Sequence, residues 1–366
     1  MKLDSGKITP AQLMFSTACF IQASALLTAF LAGVTDYDSW FVVIVGTIFC
    51  LPILAVYIGL MKTFPGKNLL EINDVVFGKV FGKGVSLLSL LFFLTLSSLN
   101  LRDMGVFVKE TVMIKTPDVV LLTSCMLVSA LAVRYGIVVV TRYGLLFVLI
   151  SAFVLVLSLL LSTSRMDINN FLPMLQLPVK KYIQGTNVIL SIPFGELVVF
   201  LMIIPHTREK KRSVGLYFIG GFLIGALALL LVVIRDTAVL GSAVGLFVLP
   251  AYVTLRTISI FGISRLEFLF AVVLIVLLFF KITLLYYVTS VGIAQILGMK
   301  SYRPAVLATG ILIISYSFTL YPSGIQHATS GRETSSILWQ FFELFLPLLA
   351  LVTGKIRKKA IGEADA

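Results

Sequence analysis

The sequence predicts an all-α protein that crosses a lipid bilayer ten times. Hydrophobic residues make up 59% of the 366 residues and charged residues only 13%, which is too apolar a balance for a soluble domain. Apolar runs of about 20 residues, the length that a helix needs to cross a bilayer, recur along the whole chain. Lys and Arg collect in alternate connections between these runs, a pattern typical of polytopic membrane proteins.

The apolar runs predict spans at residues 12–33, 40–61, 84–106, 119–136, 138–163, 182–205, 214–235, 264–295, 304–321 and 336–354. They form one transmembrane domain over residues 8–355, with five spans at 12–163, five at 182–354, and a cytoplasmic tail at 356–366. The polar start, Met1 to Pro10, leads directly into the first span, so no cleavable signal peptide is expected.

The positive charges orient these spans. With the N-terminus in the cytoplasm, 18 of the 29 Lys and Arg residues lie on the cytoplasmic side and 9 on the other, while Arg102 and Lys281 lie at membrane depth. Both termini are then cytoplasmic. The cluster from Arg208 to Arg212 is the strongest anchor and a candidate contact for anionic lipid headgroups. The net charge of +12 therefore reflects topology, and we expect no nucleic-acid partner.

The sixth span is interrupted at its centre by Ser191-Ile192-Pro193-Phe194-Gly195-Glu196, with Asn187 one turn earlier. Proline removes a backbone donor and glycine permits non-helical angles, so the helix is predicted to break there. Irregular backbone at this depth is tolerated where it lines a cavity, and a carboxylate beside it indicates a functional site. The alternative is a simple kink in which a neighbouring helix satisfies Glu196.

The first span has a weaker interruption, Gln22-Ala23-Ser24, near the centre of the apolar run from Leu13 to Leu31. Small and polar residues are common in packed membrane helices, so this feature alone indicates little. Interrupted helices at matching places in two five-helix halves, however, are typical of transporter binding sites.

Two connections are predicted to be structured. Residues 64–83, between spans 2 and 3, predict an amphipathic helix at the cytoplasmic surface, with Asn73 and Lys79 off an apolar face formed by Leu69, Ile72, Val76 and Val80. Residues 236–262, between spans 7 and 8, are largely apolar but contain Gly241, Gly245 and Pro250, so they predict a lid over the exoplasmic mouth.

Two sets of residues resemble those of a known family. The first set is Phe64-Pro65-Gly66-Lys67, Arg102-Asp103-Met104-Gly105 and Lys115-Thr116-Pro117; the second is Pro193 to Leu197, Pro205, the basic cluster and Arg265-Leu266-Glu267. In order and spacing they resemble the B-subunit (GerAB-type) family of spore germination receptors, within the amino acid–polyamine–organocation transporter superfamily. The similarity runs from about Ile8 to Lys355.

The resemblance implies two inverted five-helix repeats, with spans 1 and 6 unwound around a small-molecule pocket. It also implies a germinant, often an amino acid, and A-type and C-type partner subunits in the inner membrane of the dormant spore. Related transporters often have glycine at the break in span 1, where Ala23 stands here. A close approach of a ligand carboxylate to this backbone is therefore less expected.

A broken helix offers free N–H groups to anions and free carbonyl groups to cations, which suits a zwitterion of amino-acid size. We expect backbone near Gln22, Ala23 and Ser24 to hold one end of the ligand. The candidate residues of span 6 are Asn187, Ser191, Pro193, Phe194, Gly195 and Glu196, with Phe194 as an apolar wall and Glu196 meeting an ammonium group or titrating during gating.

Lys281 lies deep in span 8, beyond comfortable reach of the membrane surface. In one interpretation its ammonium replaces the sodium ion that transporters of this architecture hold between spans 1 and 8. In the other it stabilises the bundle by pairing with Glu196 or Asp103. Arg102 and Asp103 in span 3, and Arg265 and Glu267 at the start of span 8, are interpreted as structural charges that dock helices or the lid.

The sequence contains no pattern typical of an enzyme. His206 and His327 lie in predicted loops on opposite sides, and no Ser/His/Asp arrangement, metal-ligand spacing or phosphate-binding loop is present. Cys19, Cys50 and Cys125 lie inside apolar spans and are expected to be packing residues. We expect no catalytic residue, no metal and no cofactor.

The sequence leaves open whether the pocket serves a sensor or a transporter. A transporter rocks one half of the fold against the other, whereas a sensor passes binding energy to partner proteins by shifting a conformational equilibrium. The resemblance favours the sensor. A conducting pore has little support, because the spans lack rings of charged or carbonyl-rich filter residues.

Overall fold

The computed structural model describes residues 6–208, 211–258, 265–321 and 324–364. Regular structure in these ranges is helical, apart from one isolated bridge that pairs Ile8 with Thr207. Eight helical stretches within them are long and apolar enough to cross a membrane, and a further apolar helix is shorter. The protein is therefore an all-α polytopic membrane protein, as the apolar runs predict.

The first half contains α1 (Pro10–Gln22), α2 (Thr28–Thr35), α3 (Ser39–Thr63), α4 (Leu69–Phe77), α5 (Lys79–Thr111), α6 (Asp118–Tyr135), α7 (Ile137–Arg142) and α8 (Gly144–Ser162). Span 1 is α1 and α2 with the turn between them. Spans 2, 3 and 4 are α3, α5 and α6, and span 5 is α7 with α8. Span 3 is longer than predicted at both ends, since α5 begins five residues earlier and ends five later.

The second half contains α9 (Val179–Ile189), α10 (Lys211–Leu240), α11 (Pro250–Arg256), α12 (Glu267–Ile296), α13 (Ala305–Thr319), α14 (Gly324–Ser330), α15 (Ser336–Gln340) and α16 (Leu346–Ala364). Span 6 is α9 followed by a turn and a 3-10 helix, Gly195–Met202. Spans 7, 8 and 9 are α10, α12 and α13. Span 10 is the stretch Gly331–Arg357, which contains two π-helical turns, Gly331–Ser335 and Phe341–Phe345, and which α14 precedes.

The packing of each half has a counterpart in the other. Span 1 packs on span 7 through α1 and α10, and span 6 packs correspondingly on span 2 through α9 and α3. Spans 3 and 8 lie against each other, while span 4 contacts span 8 and span 9 contacts span 3. Span 5 lies along span 1, and span 10 along span 6. This correspondence is the arrangement that two structural repeats produce.

Helix α4 differs in detail from the predicted amphipathic segment. Asn68 caps its start by accepting a hydrogen bond from the Glu71 backbone, and the helix ends at Gly78, whose φ of 84° is left-handed. Val80, expected on the apolar face, lies beyond this end on α5 and is 89% exposed. Asn73, expected off that face, is buried and donates to Ser86 Oγ. The glycine therefore divides the segment into two helices with different faces.

The predicted lid begins later than expected. Residues 236–240 complete α10, and a 3-10 helix at Gly241–Leu246 and the short helix α11 follow. Helix α11 packs against α10 and α12, so this connection lies against spans 7 and 8. Residues 259–262 of the predicted lid, and residue 264 at the predicted start of span 8, lie outside the described residues.

Candidate functional site

Span 6 changes conformation at the predicted place. Helix α9 ends at Ile189, and the turn Leu190–Phe194 contains one extended residue, Ile192, with φ −118° and ψ 110°. Pro193 follows without a backbone donor, and the chain resumes as a tight 3-10 helix. The break places Ser191, Gly195 and Glu196 side by side in a fully buried part of the bundle.

The interruption of span 1 is milder than unwinding. After α1 ends at Gln22, residues Ala23–Leu27 form a 3-10 turn before α2 begins. Gln22 and the capping residue Thr28 keep right-handed helical angles. The expected unwound backbone is therefore not found in span 1. The physical reason is local, because residues 22–28 contain neither proline, which removes a backbone donor, nor glycine, which permits non-helical angles.

Lys281 connects the two interrupted spans to span 8. Its Nζ lies 2.5 Å from Glu196 Oε2 and donates to Ser24 Oγ at 2.7 Å. The same ammonium group lies over the ring of Phe20, 4.7 Å from its centroid. The side chains of Lys281 and Glu196 are 0% and 2% exposed, so this is a buried ion pair at the crossing of spans 1, 6 and 8. Of the two partners considered for Lys281, Glu196 is the one in contact.

A second buried carboxylate, Glu343 of span 10, faces the same break. Ser191 Oγ donates to Glu343 Oε2 at 2.8 Å. The absence of a Cβ atom at Gly195 permits this approach, because a Cβ atom at residue 195 would lie 2.3 Å from Glu343 Oε2. Tyr57 OH, from α3, donates to the backbone oxygens of Glu343 at 2.5 Å and Gly195 at 3.2 Å. The spans 2, 6 and 10 are thus joined around the break.

Sequence reasoning missed Glu343, although a signal was available. The segment Phe341-Phe342-Glu343-Leu344-Phe345 places one carboxylate in the middle of an apolar span, the same feature that singled out Glu196. Both carboxylates are 1% exposed, and the core of the break therefore holds two acidic groups and one basic group. We call Ser24, Ser191, Glu196, Lys281 and Glu343 the core cluster.

The other predicted ligand residues lie around this cluster with different partners. Asn187 donates to Ser336 Oγ at 3.0 Å and accepts a hydrogen bond from Gln340, which ties α9 to α15. Phe194 is fully buried and packs edge-on against Phe222 of span 7 at 4.9 Å. Ala23 and Pro193 are also buried.

Gln22 points to a separate cavity, of about 50 Å³, between spans 1, 5, 7 and 8. At one part of the cavity lining, Gln22 Oε1 accepts a hydrogen bond of 2.6 Å from Ser151 Oγ. Elsewhere Arg235 donates to Ser158 at 2.8 Å and pairs with Asp236 at 2.7 Å. Arg235, the last residue of predicted span 7, is fully buried, because α10 continues to Leu240 and Asp236 neutralises it.

The four charges interpreted as structural make local contacts. Arg102 Nη1 donates to Asp118 Oδ2 at 2.9 Å, at the start of α6. Asp103 pairs with His327 at 2.9 Å, so the adjacent residues of α5 contact different helices. Arg265 lies over the ring of Phe268, while the Glu267 side chain is buried; neither has an ion-pair partner within the described ranges.

His327 differs from its predicted setting. It lies in α14 rather than in a loop, is 9% exposed, and stacks on Tyr321. Burial lowers the pKa of His327, but the charge of Asp103 and its hydrogen bond outweigh burial and raise the pKa above 6.5 overall. The pair therefore favours a protonated histidine at this end of the bundle.

The described residues contain no group of three or more His, Cys, Asp or Glu side chains that could hold a metal ion. The three cysteines are unpaired thiols, of which Cys19 and Cys50 are buried in α1 and α3. The chemistry of the core cluster thus consists of carboxylates, one ammonium group, hydroxyls and broken-helix backbone. Such groups bind protons, small cations and ammonium-bearing molecules.

Comparison with known proteins places the chain in a family. The family model described as "Spore germination protein" (Spore_permease) matches residues 7–326. The chain belongs to the spore germination protein family. Spore germination protein KB of Bacillus subtilis (strain 168) is 26% identical over 373 residues, covering 99% of each chain. Spore germination protein YndE of the same strain is 23% identical and covers 97% of this chain and 98% of its own length.

Solved structures identify the fold of this spore germination family member. A Na+-coupled sialic acid symporter in a substrate-bound outward-open state superposes with a TM-score of 0.68 at 12% identity, over 96% of this chain and 90% of the other. MHP1, a nucleobase-cation-symport-1 family transporter in a closed conformation, gives a TM-score of 0.65 at 12% identity, covering 97% and 91%. The protein therefore has the fold of these transporters, with spans 1 and 6 interrupted.

Proposed function

We propose that this protein is the B-subunit of a spore germinant receptor, which binds a small germinant, an amino acid, inside the membrane and signals to partner subunits. Family membership supports the role in germination. The observation that carries the ligand-binding part is the Lys281–Glu196 ion pair, which lies at the crossing of both interrupted spans. A binding site there is able to affect spans 1, 6 and 8 at once.

The germinant acts by competing for charges already present in the core cluster. Its ammonium group takes the place of Lys281 beside Glu196, and its carboxylate meets N–H groups freed at the interrupted helices. Lys281 then loses its contact with Glu196 and moves relative to Ser24. Because these contacts link three spans, the ligand shifts the equilibrium between two arrangements of the bundle.

In this role the protein acts together with partner subunits and membrane lipids. A-type and C-type subunits receive the conformational change, and the complex lies in the spore inner membrane with both termini of this chain in the cytoplasm. Anionic lipid headgroups contact the basic cluster at residues 208–212. The protein performs no catalysis in this role.

Transport is the second candidate, supported by the fold that the chain shares with the symporters. The same pocket then works by alternating access, and the ammonium group of Lys281, held between spans 1 and 8, replaces a coupling cation. Uptake of radiolabelled amino acids by vesicles containing the isolated chain separates the two functions. Robust accumulation contradicts the sensor, whereas absence of uptake together with a germination defect in a deletion strain supports it.

The test of the binding site is Glu196→Gln in a deletion strain complemented with the variant gene. We expect loss of the germination response to an amino-acid mixture, with the variant present at wild-type levels by immunoblot. Because this change leaves Lys281 unpaired, the neutral double variant Glu196→Gln/Lys281→Met is tested beside it. Glu110→Gln, an exposed position at the end of α5, is the matched control. A wild-type response in the neutral double variant removes the ion pair from the site.

A further inference from the structure

The charges of the core cluster do not balance if every side chain is ionised. Glu196 and Glu343 are each 1% exposed, and Lys281 is the ammonium group among them. The Nζ atom of Lys281 already pairs with Glu196 Oε2 at 2.5 Å. An isolated charged carboxylate in a low-dielectric interior is so costly that it takes up a proton instead. One of the two carboxylates is therefore expected to be neutral.

The contacts of Glu343 identify it as the neutral member. No Lys, Arg or His nitrogen among the described residues lies within ion-pair distance of its carboxylate. Its Oε2 accepts one hydrogen bond, from Ser191, and its Oε1 is buried with no partner in the part of the chain that the structure describes. A protonated carboxyl group carries no charge, so it does not need the counter-charge that an ionised carboxylate at this depth requires.

The groups that face Glu343 offer no other compensation. From α3 they are the Tyr57 hydroxyl, which donates to the backbone oxygen of Glu343, and the Cys50 thiol. From span 6 the facing charge is Glu196, a like charge that disfavours ionisation, and from span 8 it is the more distant Lys281. The described elements around Glu343 thus present one negative charge, one positive charge that is already paired, and neutral groups.

We propose that Glu343 is a proton-binding site, and that its proton holds span 10 against the break in span 6. In the bound state the neutral carboxyl group packs on Gly195 and accepts a hydrogen bond from Ser191. When the proton leaves to water, two carboxylates share one ammonium group, and Lys281 is drawn from Glu196 toward Glu343. The link between spans 1, 6 and 8 then changes without any germinant.

This inference goes beyond the proposed function and does not depend on it. It rests on the charges around the break, and it applies equally to a receptor and to a transporter. A proton acting here makes the bundle respond to pH as well as to a small molecule. The site also differs from the Lys281–Glu196 pair, since Glu343 lies on span 10 and contacts Ser191 and Gly195.

Infrared spectroscopy of the purified full-length chain in nanodiscs tests the proton directly. A protonated carboxyl group gives a C=O band that shifts when H₂O is replaced by D₂O, and an ionised carboxylate gives none. We expect such a band in the wild type, its loss in Glu343→Gln, and its retention in Asp103→Asn. Absence of the band in the wild type, or its retention in Glu343→Gln, overturns the proposal.

Thermal unfolding provides a second, independent measurement. Glutamine resembles the protonated form of glutamate in shape and charge, so Glu343→Gln is expected to leave the melting temperature unchanged. Glu196→Gln is the matched control and is expected to lower it, because Lys281 loses the contact that compensates its charge. An equal decrease for both variants shows that Glu343 is ionised and paired, which contradicts the proposal. Neither measurement uses a germinant, so failure here leaves the proposed receptor role unaffected.

Discussion

The side chain of Lys281 joins span 8 to spans 1 and 6. Its ammonium group is fully buried, yet it is held by one carboxylate, one hydroxyl and one aromatic face from two other spans. Moving such charges out of water costs several kcal/mol each, and the mutual attraction offsets this cost only while both partners remain. The pair therefore favours this fold mainly because the loss of either partner would leave the other charge buried without compensation.

This leads to a prediction for Lys281→Met. Removing the ammonium group leaves Glu196 buried without a counter-charge, so we expect a loss of about 3–5 kcal/mol in the free energy of unfolding. The measurement is thermal unfolding of the detergent-solubilised protein, with a fluorescent thiol-reactive dye. The neutral double variant Lys281→Met/Glu196→Gln is expected to recover most of the loss.

A matched control uses an exposed ion pair of the same type. Lys109 pairs with Asp118 at 2.7 Å but is 47% exposed, and exposed pairs contribute about 0–1 kcal/mol. Lys109→Met should therefore change the melting temperature little. If Lys281→Met is as stable as this control, the buried pair has no structural role. Normal assembly with loss of the germination response would then assign Lys281 to signalling.

At the scale of elements, helix α14 and the first turn of span 10 close one end of the bundle. Helix α14 places His327 against Asp103 of α5. Arg332 then donates to the Ala29 backbone oxygen at 3.2 Å, and its guanidinium occupies the space beside Gly33, where a Cβ atom would be 2.2 Å away. These contacts join α14 to span 3 and the start of span 10 to span 1, at the end that the positive-inside rule predicts to be exoplasmic.

The His327–Asp103 pair makes this closure sensitive to pH. The pKa of His327 is raised above 6.5, so its protonated form stabilises the folded, closed arrangement. That stabilisation is fully present below the unfolded pKa of about 6.5 and is lost as the pH rises through the higher folded value. We expect faster hydrogen exchange, corrected for intrinsic rates, in residues 324–335 once the pH exceeds the folded pKa of His327.

Asp103→Asn is the control for this effect. It removes the charge that raises the pKa of His327, and the change in exchange should then move to lower pH and become smaller. Glu110→Gln, on the same helix but exposed, should leave the profile unchanged. An identical pH profile in wild type and Asp103→Asn would show that closure does not depend on this pair.

At the scale of the whole molecule, the N-terminal segment ties the two halves together. Ile8 N donates to the His206 oxygen at 2.9 Å, and Arg208 N donates to the Ile8 oxygen at 3.0 Å. The residues before span 1 are therefore attached to the end of span 6. Since the two interrupted spans also meet at Lys281, they are connected both inside the bundle and at one surface.

The shared surface is predicted to be cytoplasmic, which reporter fusions test. A fluorescent protein fused after residue 364 should fluoresce, because it folds in the cytoplasm. Alkaline phosphatase inserted at residue 174, between spans 5 and 6, should be active, because that connection is predicted to lie outside. Activity of a phosphatase fused after residue 364 would show that the bundle has the opposite orientation in the membrane.

The apolar composition and the spacing of its runs determined the number of spans and the all-α class, because a bilayer requires about 20 apolar residues for each crossing. Pro193 and Gly195 determined the break in span 6 through their local backbone chemistry. Only the tertiary structure decided which groups meet there. The pairing of Lys281 with Glu196 joins residues 85 positions apart, and the contact of Glu343 with Ser191 joins residues 152 positions apart. Such pairings depend on how helices rotate and pack, and uniformly apolar spans carry no periodicity that reveals their orientation.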